Sequence, residues 1–433
     1  MRIRIAQPRN NWGDRVSACS VRAMLGARLT DFESSQPRAA EFLRGLVARG
    51  RFANAYLLHG PAGVGKMSLA LAFARAILCR SSPEETAPAA PFDLQGGLFG
   101  NEPADSPAIA KPEDDACGVC SSCRKTGTLS HPDLKLLFPV TGEERLLDEL
   151  IRETHAVLRE DPLFVFRYDK YASIRLSQTR ELLRDLAYKP FESTRRVVVV
   201  RDADRMREDQ ASALLKSIEE PGDSTIWVLT TARLTRLPVT IRSRCQRVRL
   251  APLPESLVLD VLRRQAGVDA AQARLVAALA AGSLARALEL RDEDARAVRD
   301  QALALVAPAE AGDPALLWKA AQGFMSYGRT GREALRRMVE FHELRLRDVL
   351  RARVDGDDAE LVYDDLERGT RALAARIDAT EVRRRLMVLE ELLRAIEGNV
   401  APDTALFSAM ARVAGARLGE GEWPPHAAAR WNY

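Results

Sequence analysis

A glycine-rich segment, GPAGVGKMS from Gly60 to Ser68, stands between the short apolar run AYLLH at Ala55 to His59 and the helical pattern MSLALAFARAILC ending at Cys79. This order of strand, tight turn and helix constrains the fold most, because a phosphate loop needs a buried strand that delivers the chain to a helix N-terminus. Gly60, Gly63 and Gly65 let the backbone wrap an anion, and Lys66 is placed to reach its outer phosphates. The next position of the pattern carries Ser or Thr, whose hydroxyl binds Mg2+, but here it is Met67. Ser68 follows one residue later and points about 100° further round the helix, so it replaces that hydroxyl poorly.

A second position is altered in a matching way. In phosphate-loop ATPases a neighbouring strand ends in an Asp that helps to hold Mg2+. Counting back from the helix SALLKSIEEP puts Arg201 at that position and Asp202 at the next, where a water-activating Glu is expected. Asp202 and Asp204 also read as a slipped acidic pair, although Asp204 is better explained as a turn cap. An arginine cannot coordinate a cation, so the two substitutions together argue against Mg2+-dependent hydrolysis.

The rest of the chain extends the α/β pattern. HPDLKLLFP is a strand candidate, RRVVVVRDADR carries four consecutive valines expected of a buried parallel strand, and STIWVLTTA and RVRLAPL supply two more. Amphipathic segments alternate with them, which predicts a layered domain with a mainly parallel sheet over residues 37–250. Residues 1–36 lack periodicity and read as an irregular extension. Residues 81–116, rich in Pro, Ala, Gly and acids, read as a flexible insertion. Beyond Pro252 strand signals stop, and the chain divides into a smaller helical unit at 251–306 and a longer helical bundle at 307–433.

Four cysteines follow the phosphate loop. Cys117, Cys120 and Cys123 form two C-x-x-C steps sharing Cys120, and Cys79 lies upstream at a helix end. Such a set makes a closed, tetrahedral structural Zn2+ site, with an iron–sulfur cluster as the competing reading. His131 reads as a turn or surface residue rather than a ligand, and Cys19 and Cys245 stand apart. The formal net charge of +4 does not by itself announce a nucleic-acid binder. No basic patch interleaved with aromatics is evident in the sequence. No apolar run approaches a membrane span, and a cytoplasmic location is expected, where clustered cysteines favour metal over disulfides.

These residues resemble the bacterial DNA polymerase III clamp-loader family of gamma/tau and delta-prime subunits. The likeness rests on LLHGPAGVGK, the cysteine set followed by HPDL, then SALLKSIEEPG, LTTA, LPVTIRSRC and GSLARALEL, in order from Leu57 to Leu290. It implies an AAA+ α/β domain with a zinc knuckle, an all-α lid and an all-α collar for oligomerisation. The departures at Met67 and Arg201 bring the chain nearer to the delta-prime branch than to the hydrolysing gamma/tau branch. The resemblance further implies that Arg244 of the Ser243-Arg244-Cys245 turn is an arginine finger acting on a neighbour's ATP site. Thr231 and Arg286 would lie in the nucleotide region, with ATP bound, if at all, without hydrolysis. Implied partners are a gamma/tau-type ATPase, a clamp-opening delta-type subunit, the sliding clamp and, through the complex, primer-template DNA. Two rival readings are a gamma-type motor using Lys66 and Asp202, and an unrelated zinc-dependent nucleic-acid-binding protein.

Overall fold

The protein is described by a computed structural model, covering residues 28–80, 114–140, 147–160, 172–220, 224–264, 267–291, 295–310, 312–322, 329–397 and 400–414. Most of the expected irregular extension and of the expected insertion lies outside the described residues. The ends that are described belong to the folded structure. Leu29–Phe32 form a 3-10 turn with Leu29 and Phe32 buried, and the fully buried Asp115 accepts the N–H groups of Leu29 and Thr30 at 3.1 and 3.0 Å. The extension therefore gives way to structure before residue 36, and the insertion ends before residue 116.

Described residues up to 264, with 282–286, form one compact unit. Its five strands are all parallel, in the order β2-β3-β4-β1-β5: β1 Ala55–His59, β2 Leu134–Leu137, β3 Arg196–Val200, β4 Thr225–Thr231 and β5 Gln246–Arg249. The valines of β3 are buried on both faces of the sheet. Val197 and Val199 pack with Tyr56, Leu58, Val228 and Val248 on one side, against α1 (Pro37–Arg49) and α2 (Lys66–Leu78). Val198 and Val200 pack with Leu57, Trp227 and Leu229 on the other, against Leu182 of the helix Leu176–Leu186 and Leu214 of the helix Glu208–Glu219. Each such side chain contributes about 1.5–3 kcal/mol of burial, which explains why a two-sided strand reads as an unbroken apolar run.

The second unit comprises described residues of 267–281 and from 287 onward, and is helical. Its 26-residue helix Arg329–Val354 packs with the helices Glu367–Arg376 and Ala379–Glu397. Polar anchors fix the turn after the long helix. Fully buried Asp348 accepts the N–H groups of Val362 and Tyr363, Tyr363 Oη donates to the Phe341 carbonyl at 3.0 Å, and Arg299 grips Asp365 with two bonds of 2.7 and 2.6 Å.

His342 in this unit is buried, with Nε2 at 3.0 Å from the Ala302 carbonyl. Burial, reinforced by the charges of Arg345 and Arg385, pushes its pKa down to about 4. The neutral ring is thus favoured by folding, so above the unfolded value near 6.5 there is no effect, and below it the unfolded state gains the proton first. Stability of this unit is expected to fall by about 3 kcal/mol as pH drops from about 6.5 to 4. Denaturant titrations across that range should show the slope in wild type and its loss in His342→Gln.

Candidate functional site

The phosphate-loop turn forms as the sequence predicts. Gly63 and Gly65 hold φ of +73° and +91°, a region that suits glycine, and Gly65 is the N-cap of α2. A Cβ at Gly63 would collide with Ser283, because the loop is covered there by the segment whose Leu284 N–H donates to the Gly63 carbonyl at 3.1 Å. Arg286 belongs to the same segment, with its N–H on Ser283 Oγ at 3.3 Å. Lys66 is buried and its Nζ donates to the Gly60 carbonyl at 2.9 Å and to that of Pro61. A phosphate must displace these bonds. Burial lowers the Lys66 pKa to about 8, against the raising influence of Asp202 and Asp204 and with a further lowering from Arg201.

The C-terminal strand ends bring the other candidates together. Arg201 follows β3, is buried, and lies 3.7 Å from the Asp202 carboxylate. Asp202 adopts a left-handed conformation at φ +47° and its N–H reaches Thr230 Oγ1 at 3.2 Å. Asp204 is more than a turn cap: its carboxylate accepts from Thr231 Oγ1 at 2.7 Å and from Arg233 Nε at 3.1 Å. The Thr231 hydroxyl is thereby engaged within the protein. Ser68 is buried on α2, and its Oγ has no hydrogen-bond partner among the described residues. Where Mg2+ ligands are expected, the site offers a thioether at Met67 and a cation at Arg201.

Arg244 is not part of this cluster. It lies two residues before β5, whose Gln246 is level with Tyr56 near the start of β1, whereas the phosphate loop follows the end of β1 at His59. A strand of this length spans roughly 13–17 Å, so Arg244 sits at the opposite end of the strands from its own loop. There Nη1 donates to the Thr240 carbonyl at 3.0 Å and Nε pairs with Glu219, and the side chain is 39% exposed. Sequence does not single out Glu219, since a helix-terminal Glu has no pattern that predicts such a partner. The adjacent Cys245 thiol is buried, and its pKa is pushed up to about 12.

The four cysteines converge. Cys79, Cys117, Cys120 and Cys123 are all buried and their Sγ atoms lie within 4.8 Å of one another, two pairs at 3.9 Å. A tetrahedron of sulfurs around Zn2+ at ~2.3 Å has edges of about 3.8 Å, so the donor set fits that metal. Backbone N–H groups of Cys117, Cys120 and Cys123 point at the sulfurs of Cys79, Cys117 and Cys120, each at 3.4 Å, an arrangement that favours thiolates. Without a metal the thiols of Cys120 and Cys123 are held above their ordinary pKa: burial leads for Cys120, the hydrogen bond with Cys79 for Cys123. Metal uptake therefore releases protons.

His131 differs from its expected surface position. It is buried beside the knuckle, with Nε2 at 2.7 Å from Ser122 Oγ and Nδ1 accepting the Asp133 N–H at 3.1 Å. Asp133 in turn accepts three N–H groups, from Phe191, Glu192 and Ser193, at 2.6–2.8 Å. Tyr188 and Phe191 on that loop are 76% and 83% exposed. With Arg184, Lys189 and Arg195 they form a basic and aromatic stretch missed in the sequence, where the spacing RDLAYKPFESTRR carried the signal.

Comparison with known proteins bears directly on this site. The family model described as "DNA polymerase III, delta subunit" matches residues 35–90 and 104–254, a range that holds the phosphate loop, all four knuckle cysteines and Arg244. Over those residues the chain matches that family. It is similar to the DNA polymerase III subunit delta' of Bacillus subtilis, 29% identical over 60% of each chain, and to that of Pseudomonas aeruginosa, 30% identical over 59% of this chain and 61% of the relative. The DNA polymerase III subunit tau of Bacillus subtilis is more distant, at 22% identity over 60% of this chain and 36% of that protein. The match thus spans about 60% of the length of the two delta' relatives. Among the described residues no helix is long and apolar enough to cross a membrane.

Proposed function

We propose that this chain is a delta-prime-type subunit of a DNA polymerase III clamp loader: an AAA+ protein that does not hydrolyse ATP and supplies Arg244 to the ATP site of a neighbouring gamma/tau-type subunit. The observation that carries this reading is the split between the two ends of the strands. At the C-terminal end the phosphate loop lacks both expected Mg2+ ligands, with Met67 after Lys66 and Arg201 at the strand end. At the other, a partly exposed arginine stands too far from its own loop to serve it, which suits a group acting on another molecule. A zinc knuckle staples the α/β domain, residues 251–306 act as lid, and residues 307–433 as collar. The further partners on this reading are a delta-type clamp-opening subunit, the sliding clamp and primer-template DNA.

Phosphoryl transfer depends on Mg2+ to neutralise developing charge, so the isolated chain is expected to show no Mg2+-dependent ATP turnover above background. Lys66→Ala should leave that background unchanged, in a coupled ADP-release assay. ATP binding without turnover agrees with the proposal. Turnover that needs Mg2+ and disappears in Lys66→Ala contradicts it and favours a gamma-type motor.

A further inference from the structure

The knuckle has a problem of chain geometry. Cys117, Cys120 and Cys123 are neighbours, but Cys79 is 38 residues before Cys117, and the Cys117 N–H on its sulfur at 3.4 Å does not by itself fix the backbone that carries it. A buried relay spans that gap. Ser122, between two ligands on the helix Ser121–Gly127, donates its hydroxyl proton to the carbonyl of Leu78, the residue before Cys79, at 2.6 Å. A hydroxyl has one proton, so the 2.7 Å contact between Ser122 Oγ and His131 Nε2 requires the ring to donate. The other ring nitrogen agrees, since Nδ1 accepts from the Asp133 N–H at 3.1 Å. This is the neutral tautomer with its proton on Nε2. His131 and Ser122 are each only 2% exposed, so water does not compete for these bonds.

We propose that His131 is a positioning residue of the metal site: by donating to Ser122 it orients the hydroxyl toward Leu78 and so holds Cys79 in register with Cys117, Cys120 and Cys123. Its partner on the other side, Asp133, belongs to the approach to β2, so the relay ties the knuckle to the sheet as well as to the end of α2. The ring reaches no sulfur itself and acts through Ser122 and a carbonyl. The arrangement resembles in its logic the outer-shell groups that orient metal ligands elsewhere, whose loss weakens metal binding by about 10–100-fold.

The test uses the full-length chain and Zn2+ affinity measured by competition with a chromophoric chelator, with the absorption spectrum of the Co2+-loaded protein as a second readout of site geometry. His131→Phe keeps a ring of similar bulk and removes the donor, and it is expected to bind Zn2+ about 10–100-fold more weakly and to alter the Co2+ bands. His131→Gln keeps an N–H that can reach Ser122 and should recover most of the affinity. Ser122→Ala should reproduce the loss, and combining it with His131→Phe should add little, because both break one relay. Wild-type affinity and spectrum in the Phe variant, or a Gln variant as weak as Phe, would show that the ring only fills space. A wild-type protein that binds no Zn2+ overturns the site and the role of His131 with it.

Discussion

Replacing Cys120 with serine is expected to take the protein from one bound Zn2+ per chain to none under conditions that leave the wild type fully loaded. Structural zinc sites in small peptides have apparent binding free energies of about 10–16 kcal/mol, so one ligand of four accounts for about 2.5–4 kcal/mol, or ~10²–10³ in affinity. Cys120 is central in two ways: it closes both C-x-x-C steps, and its sulfur accepts the Cys123 N–H at 3.4 Å. The knuckle cysteines pack in the same hydrophobic cluster as Leu69, Ala70 and Phe73 of α2, so loosening reaches the helix that follows the phosphate loop. The opposite face, built on Leu57, Val198, Trp227 and Leu214, includes none of the four cysteines. Far-UV circular dichroism should therefore keep most of its amplitude while thermal stability falls. Because burial and mutual contacts raise the pKa of the metal-free Cys120 and Cys123 thiols, Zn2+ affinity in the wild type should also weaken as pH falls, with proton release on binding measurable in weakly buffered solution. Elemental analysis showing iron, or no metal at all, would remove the zinc assignment.

The elements that sequence exposed are those whose signal is local and periodic. Four consecutive valines announced β3 because both faces of a central parallel strand are covered, and glycine spacing announced the loop because left-handed backbone at Gly63 and Gly65 favours that residue. The four thiols were legible from spacing because two C-x-x-C steps sharing one cysteine set three sulfurs at the short intervals of a tetrahedral thiolate site. What stayed hidden is polar and long-range. Asp115 reads as one more acid in a low-complexity stretch, yet it caps Leu29 and Thr30 from about 85 residues away in sequence. His131 has no pattern to separate a surface ring from a buried relay, and the Asp204–Thr231 bond joins two strand ends across 27 residues. Such contacts depend on which strands become neighbours, and the order β2-β3-β4-β1-β5 is not written in any single segment.

The central claim, that a subunit without hydrolysis of its own completes a neighbour's active site, is tested most directly at Arg244. Its charge lies at the end of the strands away from its own phosphate loop, held among the described residues by the Thr240 carbonyl and an ion pair with a Glu219 that is itself 40% exposed. Exposed pairs of this kind contribute about 0–1 kcal/mol, so removing the side chain should leave fold and assembly intact, and the guanidinium is free to exchange partners. An arginine supplied in trans to a phosphoryl-transfer site is worth roughly 10³–10⁵ in rate. The decisive measurement is ATP turnover at the adjoining site in the chain assembled with its ATPase partner, stimulated by DNA and clamp, with wild type and Arg244→Ala compared at equal mass by light scattering. The account predicts an intact complex whose turnover at that site falls by ~10³ or more, with clamp loading lost in parallel. An intact complex that turns over ATP at the wild-type rate would contradict it and leave Arg244 a solvated surface cation.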